Sequence, residues 1–475
     1  MTKPKAIDII RIKITLLIMA LEQYPSPKLS AHFESIKPSA IRIAGIEFAA
    51  RQKRERATNQ PVTEAIGTHI GNVSLPMHPA MQARVREIGQ PGEAFADGVV
   101  RYTSTVGEEE TQRAFLNVIA ASGFDTTGLY VQVTDGGSDA MELMILGCCG
   151  PAGTSEKPLL MLDPGYTNYP SLGKRLGRGT VSVNRELQTD GEFALPDLSE
   201  IEHVIEREKP GALVVIPYDN PTGQFMDQQT LEELARLCVK HNLWLVSDEA
   251  YRELQYTGQP TSSVWGITEE AVPGITGRRM SIETGSKVWN GCGVHIGALV
   301  TDNARFHEQS VAEGTVTLCA NAFSQHVFGA LANESREALN AWFQRQRDYY
   351  APMMTTLTRD LRTMLPGVIV SQPQASIYSV VDVRDIAKPG FNANDFVLWC
   401  AREGSAIIQT ARGDVQMTLL VSTMPGFYSI KPGEANPGVT QMRIAYVETP
   451  EKMALVPELF TRLFKKYEVQ RGDAK

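Results

Sequence analysis

The sequence predicts an α/β protein built around a mostly parallel sheet, and two observations support that prediction. The first is a series of short apolar runs, each followed by a polar or glycine-rich turn: LYVQVTDGGS (129–138), PLLMLDPGY (158–166), ALVVIPYDNPTG (212–223), LWLVSDEAY (243–251), MSIETGSK (280–287) and HIGALVTD (295–302). Runs of this length and composition are typical of strands buried on both faces. The second is the presence of helix-like segments between the runs; residues 227–242 carry one apolar stripe of Leu231, Leu234, Leu237 and Cys238. Strands that alternate with helices predict a parallel sheet.

The composition is that of a globular protein that acts on small molecules. The chain has 475 residues, of which 43% are hydrophobic and 21% are charged, enough for two domains with sizeable cores. The net charge of −8 is spread without long blocks of like charge. This charge pattern argues against nucleic acid or an anionic membrane as a partner.

The six cysteines show no C-x-x-C spacing, so neither a metal site nor a disulfide framework is expected. Cysteines in the reduced state favour a cytoplasmic location. The apolar segment RIKITLLIMALEQ (11–23) is too short to span a bilayer. We therefore interpret residues 1–25 as an N-terminal extension.

Polar residues follow the predicted strands, and these residues suggest a binding site. In a parallel sheet the carboxyl ends of the strands meet at one crevice, where ligands bind. The residues at these ends are Gly136, Gly137, Ser138, Asp163, Tyr166, Asn220, Asp248, Tyr251, Thr284, Ser286 and Lys287. An anion cradle, an aromatic face, a carboxylate and an amine together match the chemical needs of pyridoxal phosphate.

Three of these residues are predicted to be catalytic. Pyridoxal phosphate requires a lysine amine for a Schiff base and for later proton transfer, and Lys287 suits both roles. Asp248 would keep the ring nitrogen protonated, so that the ring accepts electrons from the substrate. Tyr251 would donate a hydrogen bond to the phenolic oxygen of the ring, and Asn220 would contribute from the neighbouring strand end.

The phosphate and the ring face require other residue types. Gly136, Gly137 and Ser138 precede an apolar helix-like segment, and exposed N–H groups at a helix N-terminus bind phosphate. Tyr166 follows a Pro-Gly pair and offers a flat face that could stack on the ring.

The chain resembles the class I/II aminotransferase family of fold-type-I pyridoxal-phosphate-dependent enzymes. The resemblance rests on NPTG (220–223), SDEAY (247–251), GSK (285–287) and MRIAYV (442–447), in that order, and extends from about residue 25 to the C-terminus. It implies a mostly parallel central sheet in a large domain, at residues 76–335. It also implies a smaller α+β domain formed by residues 26–75 and 336–475.

The resemblance implies roles for four further residues. Arg443 would hold the α-carboxylate of the substrate through two parallel hydrogen bonds, which a planar guanidinium suits. Gly71 would lie at the turn that faces the substrate, where Asn220 also binds. Tyr102 would reach the phosphate in a neighbouring subunit, which implies a homodimer with shared sites. His295 stands where the family has a phosphate-binding arginine, so we expect a weaker, pH-sensitive phosphate contact; Thr284 replaces a common serine.

The implied reaction is the transfer of an amino group between an L-amino acid and a 2-oxo acid through a Lys287 Schiff base. Two alternatives stay open at the level of sequence. One is another pyridoxal-phosphate reaction on an amino acid, either carbon–sulfur lysis or an oxidase-like reaction. The other is a non-catalytic ligand sensor built on the same fold. The identity of the amino acid is not fixed by any motif.

Overall fold

The computed structural model describes residues 27–36, 40–431 and 433–473, so the predicted extension at residues 1–25 lies outside the described residues. The chain divides into two compact units, Met1–Ser39 and Ala40–Lys475. Within the first unit, the described residues form a short helix, α1 (Ala31–Ser35), whose N-terminus is capped by the Ser30 side chain. The functional residues predicted above all belong to the second unit.

The second unit contains sixteen strands within the described residues. They are β1 (Glu64–Gly67), β2 (Tyr130–Thr134), β3 (Leu159–Asp163), β4 (Thr180–Asn184), β5 (Glu186–Leu187), β6 (Phe193–Ala194), β7 (Ala212–Val215), β8 (Trp244–Asp248), β9 (Arg279–Thr284), β10 (Gly297–Thr301), β11 (Ile369–Val370), β12 (Tyr378–Asp382), β13 (Ala406–Thr410), β14 (Gly413–Leu420), β15 (Ser422–Thr423) and β16 (Gln441–Ala445).

The described helices of this unit are α2 (Ala40–Ala57), α3 (Pro79–Glu87), α4 (Glu109–Ala121), α5 (Gly136–Cys148), α6 (Asn168–Arg175), α7 (Leu198–Glu208), α8 (Gln228–Lys240), α9 (Ala304–Gly314), α10 (Ala322–Gly329), α11 (Arg336–Met364), α12 (Ala393–Arg402), α13 (Pro450–Met453) and α14 (Val456–Asp473). Short 3₁₀ turns cover Val264–Gly266, Cys292–Val294, Ala330–Asn333, Pro425–Phe427 and Pro437–Thr440. None of the helices in the described ranges combines the length and the apolar character that a bilayer crossing requires.

The central sheet has seven strands in the order β2-β10-β9-β8-β7-β3-β4. Every neighbouring pair from β9 to β4 is parallel, and β10 runs antiparallel to both of its neighbours. Every residue of β3, β7 and β10 is buried, as the apolar runs in the sequence predicted. The prediction of a mostly parallel sheet is therefore confirmed.

Helix α8 shows how the sequence covers this sheet. The Asp227 side chain accepts a hydrogen bond from the Thr230 N–H and so begins the helix. The predicted apolar stripe of Leu231, Leu234, Leu237 and Cys238 is buried. Burying one apolar stripe against a sheet is the usual reason why an amphipathic helix is stable in a protein.

The remaining strands form three smaller sheets, β1-β14-β13, β11-β12-β16-β15 and the pair β5-β6. Strand β1, from the beginning of the unit, pairs in parallel with β14, more than 300 residues later. Residues near the two ends of this unit therefore pack together. The division into a large and a small domain, with boundaries at residues 76 and 335, stays a prediction.

Candidate active site

Lys287 lies in the connection between β9 and β10. The connection begins with a hydrogen bond from the Gly285 N–H to the Ile296 carbonyl, and a turn follows in which the Asn290 N–H donates to the Lys287 carbonyl. A Cβ atom on Gly285 would lie 2.7 Å from the Ile296 side chain, so a glycine is needed there. The Lys287 amine donates to the Gly71 carbonyl at 2.6 Å.

Asp248 ends strand β8, which neighbours the strand that leads to Lys287. Its carboxylate is buried and accepts hydrogen bonds from the Tyr169 hydroxyl at 2.9 Å and the Ala250 N–H at 3.1 Å. Burial raises the pKa of Asp248 to about 6, and the two hydrogen bonds act in the opposite direction. A buried carboxylate of this kind is stabilised by a bound cation.

Tyr251 lies three residues after Asp248 and is buried. Its hydroxyl lies 2.8 Å from the hydroxyl of Tyr378, a residue that sequence reasoning missed. Burial raises the pKa of the Tyr251 phenol above its ordinary range, and Tyr378 raises it further. Tyr251 is therefore a neutral hydrogen-bond donor at physiological pH.

Arg443 lies on strand β16 and is only 2% exposed. Its Nη1 donates to the Asn220 side-chain oxygen at 2.8 Å, and its Nη2 donates to the His69 carbonyl at 3.1 Å. The guanidinium also lies 4.3 Å above the Tyr378 ring and 5.0 Å from the Phe427 ring. Its buried Nε has no acceptor among the described residues, so the group is available to bind an anion.

Gly136, Gly137 and Ser138 are the first residues of helix α5, and His295 packs against Gly136. A Cβ on Gly136 would lie 3.0 to 3.2 Å from the His295 ring, and Gly136 has a φ of +73°, so only glycine fits there. His295 itself has a left-handed φ of +54°. The Thr284 hydroxyl, across from Gly137, donates to the Ser286 hydroxyl at 2.9 Å.

Tyr166 lies close to these groups, as its electrostatic environment shows. The pKa of its phenol is raised to about 12, chiefly by burial and also by the nearby Tyr378 and Asp248, whereas the positive charge of Arg443 lowers the pKa. Tyr166 is therefore within electrostatic reach of both the acid at the end of β8 and the guanidinium on β16.

Tyr102 is the predicted residue that the structure does not bring to this place. It is 80% exposed and borders a separate surface hollow of about 360 Å³. Arg252 is buried and pairs with Glu283 at 2.5 Å. It therefore supports the core and is not free to bind a substrate.

The convergent residues fit pyridoxal phosphate. The buried Asp248 carboxylate, with its raised pKa, suits a protonated ring nitrogen. The glycine cradle at the start of α5 suits a phosphate, because a helix N-terminus offers N–H groups and a favourable dipole. Lys287 supplies the amine, and the unsatisfied Nε of Arg443 suits a substrate carboxylate.

Two residues of this site were not found from the sequence. Tyr169 comes three positions after Tyr166 in GYTNYP, and that spacing was the available signal for a shared face. Tyr378 begins an apolar strand and so resembles an ordinary core residue. Its hydroxyl contact with Tyr251 joins residues 127 positions apart.

Comparison with known proteins gives one family. The family model described as "Aminotransferase class I and II" matches residues 93–412. The aspartate/prephenate aminotransferase of Thermus thermophilus is 24% identical over 376 residues, which cover 78% of this chain and 88% of that protein. The aspartate aminotransferase of Sulfolobus acidocaldarius is 24% identical over 389 residues, which cover 80% of this chain and 90% of that protein.

Solved structures share the fold. The alanine aminotransferase of Pyrococcus furiosus superposes with a TM-score of 0.72 at 20% identity and covers 92% of this chain and 100% of that one. The Thermus thermophilus aspartate aminotransferase with maleate gives a TM-score of 0.71 at 21% identity, with the same coverage. At these identities the superpositions establish the fold.

Proposed function

The chain belongs to the class I and II aminotransferase family and is a pyridoxal-phosphate-dependent aminotransferase, and we propose that it moves the amino group of an L-amino acid to a 2-oxo acid through Lys287. The observation that supports this proposal is the turn at residues 69–71. Its Gly71 carbonyl binds the Lys287 amine, and its His69 carbonyl binds the Arg443 guanidinium. One short turn thus connects the reacting amine to the group that would anchor the substrate.

Lys287 would hold the cofactor covalently and then act on the substrate. When bound, pyridoxal phosphate supplies an electron sink for the electron pair left at the substrate α carbon. Lys287, once released by the incoming amino acid, would remove the proton from the α carbon and deliver it to the C4′ carbon of the cofactor. Asp248 would keep a proton on the ring nitrogen, because a buried carboxylate favours a cationic partner.

Arg443 would bind the substrate α-carboxylate. The free Nε and the two terminal nitrogens of a guanidinium form a planar fork that matches a carboxylate. Asn220 and His69 already hold two of these nitrogens, so the fork is oriented before any substrate arrives. Because the guanidinium is already fixed, less conformational entropy is lost when the substrate binds, and the α carbon is kept near Lys287.

The phosphate would bind at Gly136, Gly137 and Ser138, with Thr284 and His295 beside them. We propose that Tyr102 completes this site in a second copy of the chain, which makes the protein a homodimer. Its 80% exposure supports that role, because a tyrosine that serves only its own core is normally buried. The six free cysteines support a reducing, cytoplasmic location.

An absorbance spectrum of the purified protein with pyridoxal phosphate tests this function. We expect a visible band that is absent in Lys287→Ala and present in Lys174→Ala, a matched exposed-lysine control on α6. Addition of an amino acid alone should convert the band to that of the aminated cofactor and release one equivalent of 2-oxo acid. Continuous release of ammonia without an amino acceptor would instead indicate lysis or an oxidase-like reaction. A wild-type protein without a visible band would contradict the proposal and favour the sensor alternative.

A further inference from the structure

Tyr378 lies at the centre of the site and contacts three of its groups. It begins strand β12, is 2% exposed, and pairs with Ala445 of the strand that carries Arg443. Its hydroxyl lies 2.8 Å from the Tyr251 hydroxyl, and its ring lies 4.3 Å below the Arg443 guanidinium. A Cβ on Gly71 would lie only 2.0 Å from the same hydroxyl, so the turn at residues 69–71 packs directly on it.

The two phenols share one hydrogen bond, and its direction has consequences. A tyrosine hydroxyl has a single proton and can also accept. Among the described residues, each of these two hydroxyls has the other as its hydrogen-bond partner. If Tyr251 is to donate its proton to the cofactor's phenolic oxygen, Tyr378 must be the donor in this pair. A hydroxyl that accepts a hydrogen bond becomes a stronger donor in turn, because neighbouring hydrogen bonds polarise one another.

We propose that Tyr378 is a positioning residue with two separable effects: its hydroxyl donates to Tyr251 and so orients and strengthens that donor, while its ring face holds the Arg443 guanidinium. This inference rests on the proposed function. One side chain would thereby position both the residue that binds the phenolic oxygen of the cofactor and the residue that binds the substrate carboxylate. The hydroxyl effect passes through Tyr251, and the ring effect passes through the cation–π contact with Arg443.

The two effects are separated by two substitutions. Tyr378→Phe removes only the hydroxyl and keeps the ring below Arg443. Tyr378→Leu removes both. A matched control is Tyr446→Phe, which removes another buried hydroxyl in the same region; this hydroxyl lies 2.9 Å from that of Ser379 and, within the described residues, forms no hydrogen bond with a predicted site residue.

The measurement is the pH titration of the visible absorption band of each cofactor-loaded protein, together with KM for an amino acid. A weaker hydrogen bond from Tyr251 leaves more negative charge on the phenolic oxygen of the cofactor. That charge stabilises the proton on the neighbouring Lys287 nitrogen, which is joined to the cofactor, and so raises the pH at which this proton is lost. We therefore expect the midpoint to rise by about 0.3 to 1 pH unit in Tyr378→Phe, with KM within about twofold of the wild type. Tyr378→Leu should show the same rise and a KM increased by about fivefold or more. Tyr446→Phe should match the wild type.

Two results would overturn the inference. The first is a Tyr378→Phe midpoint equal to that of the wild type. The second is a Tyr378→Phe shift of the titration midpoint that persists when Tyr251 is also replaced by Phe, because the proposed hydroxyl effect passes through Tyr251. A midpoint shift that survives in the double variant would come from disturbed packing. A wild-type protein without a visible band would instead refute the proposed function, so the two failures are distinguishable.

Discussion

Gly71→Ala tests how tightly the turn at residues 69–71 is held. The added Cβ would lie 2.0 Å from the Tyr378 hydroxyl oxygen, 3.0 Å from its Cζ and 3.3 Å from its Cε1. Ordinary contact begins at 3.4 Å, so the two groups must separate by about 1.4 Å. Tyr378 cannot retreat, because it is buried between Tyr251 and Arg443. The turn itself must therefore move.

That movement affects both anchors of the turn. A shift of this size breaks the 2.6 Å hydrogen bond from Lys287 to Gly71 and the 3.1 Å bond from Arg443 to His69. Because misplacing a positioning group by about 1 Å costs on the order of 100-fold in rate, we expect kcat/KM to fall by about that factor. Overpacking of a buried site should also lower the free energy of unfolding by about 1–3 kcal/mol.

Steady-state kinetics and denaturant unfolding measure these effects, and two further variants make them specific. Gly426→Ala is the matched control, because a Cβ there meets no atom within 4 Å and the residue lies in the turn beside Phe427. Tyr378→Phe added to Gly71→Ala removes the closest atom and leaves a deficit of only about 0.4 Å at Cζ, so it should restore part of the lost stability. Wild-type kinetics and stability in Gly71→Ala, or a double variant no more stable than the single one, would refute the reasoning.

Two other predictions concern titratable groups. Burial raises the pKa of Asp248 from 3.8 to about 6, so the stability that its neutral form provides to the cofactor-free protein is present below about pH 4 and is lost as the pH rises through 6. Asp248→Asn should therefore raise the free energy of unfolding of the cofactor-free protein by about 3 kcal/mol above pH 6 and leave it unchanged below pH 4. Denaturant unfolding across this pH range measures the effect, and a stability difference between variant and wild type that does not change with pH would contradict the prediction. His295→Arg should tighten the binding of pyridoxal phosphate, because a planar guanidinium can donate two parallel hydrogen bonds to a phosphate, and equilibrium dialysis that finds the same Kd for both proteins would count against this role for His295.

The strand ends were the part of the site that the sequence could predict. Lys287 and Asp248 each end or follow an apolar run, and parallel topology brings such ends together regardless of the details of packing. Arg443 was predicted through the family motif around it. Its near-complete burial and its two hydrogen bonds agree with an anchoring role.

The contacts between distant segments could not be predicted. Tyr378 stands in an apolar strand, and nothing local distinguishes its hydroxyl from that of a core tyrosine such as Tyr446. The partner of Tyr169 is Asp248, on a strand 79 residues further along the chain. Such pairings depend on how layers pack in three dimensions, which residue periodicity does not encode.

The turn at residues 69–71 also constrains the order in which the enzyme can mature. Its two hydrogen-bond partners, Lys287 and Arg443, lie 216 and 374 residues downstream. A nascent chain therefore exposes this turn long before either partner has left the ribosome, and early folding cannot lock it in place. The bond between the turn and Arg443 can form only after strand β16 has been synthesised, so the joint arrangement of Lys287 and Arg443 around residues 69–71 is among the last parts of the fold to be completed.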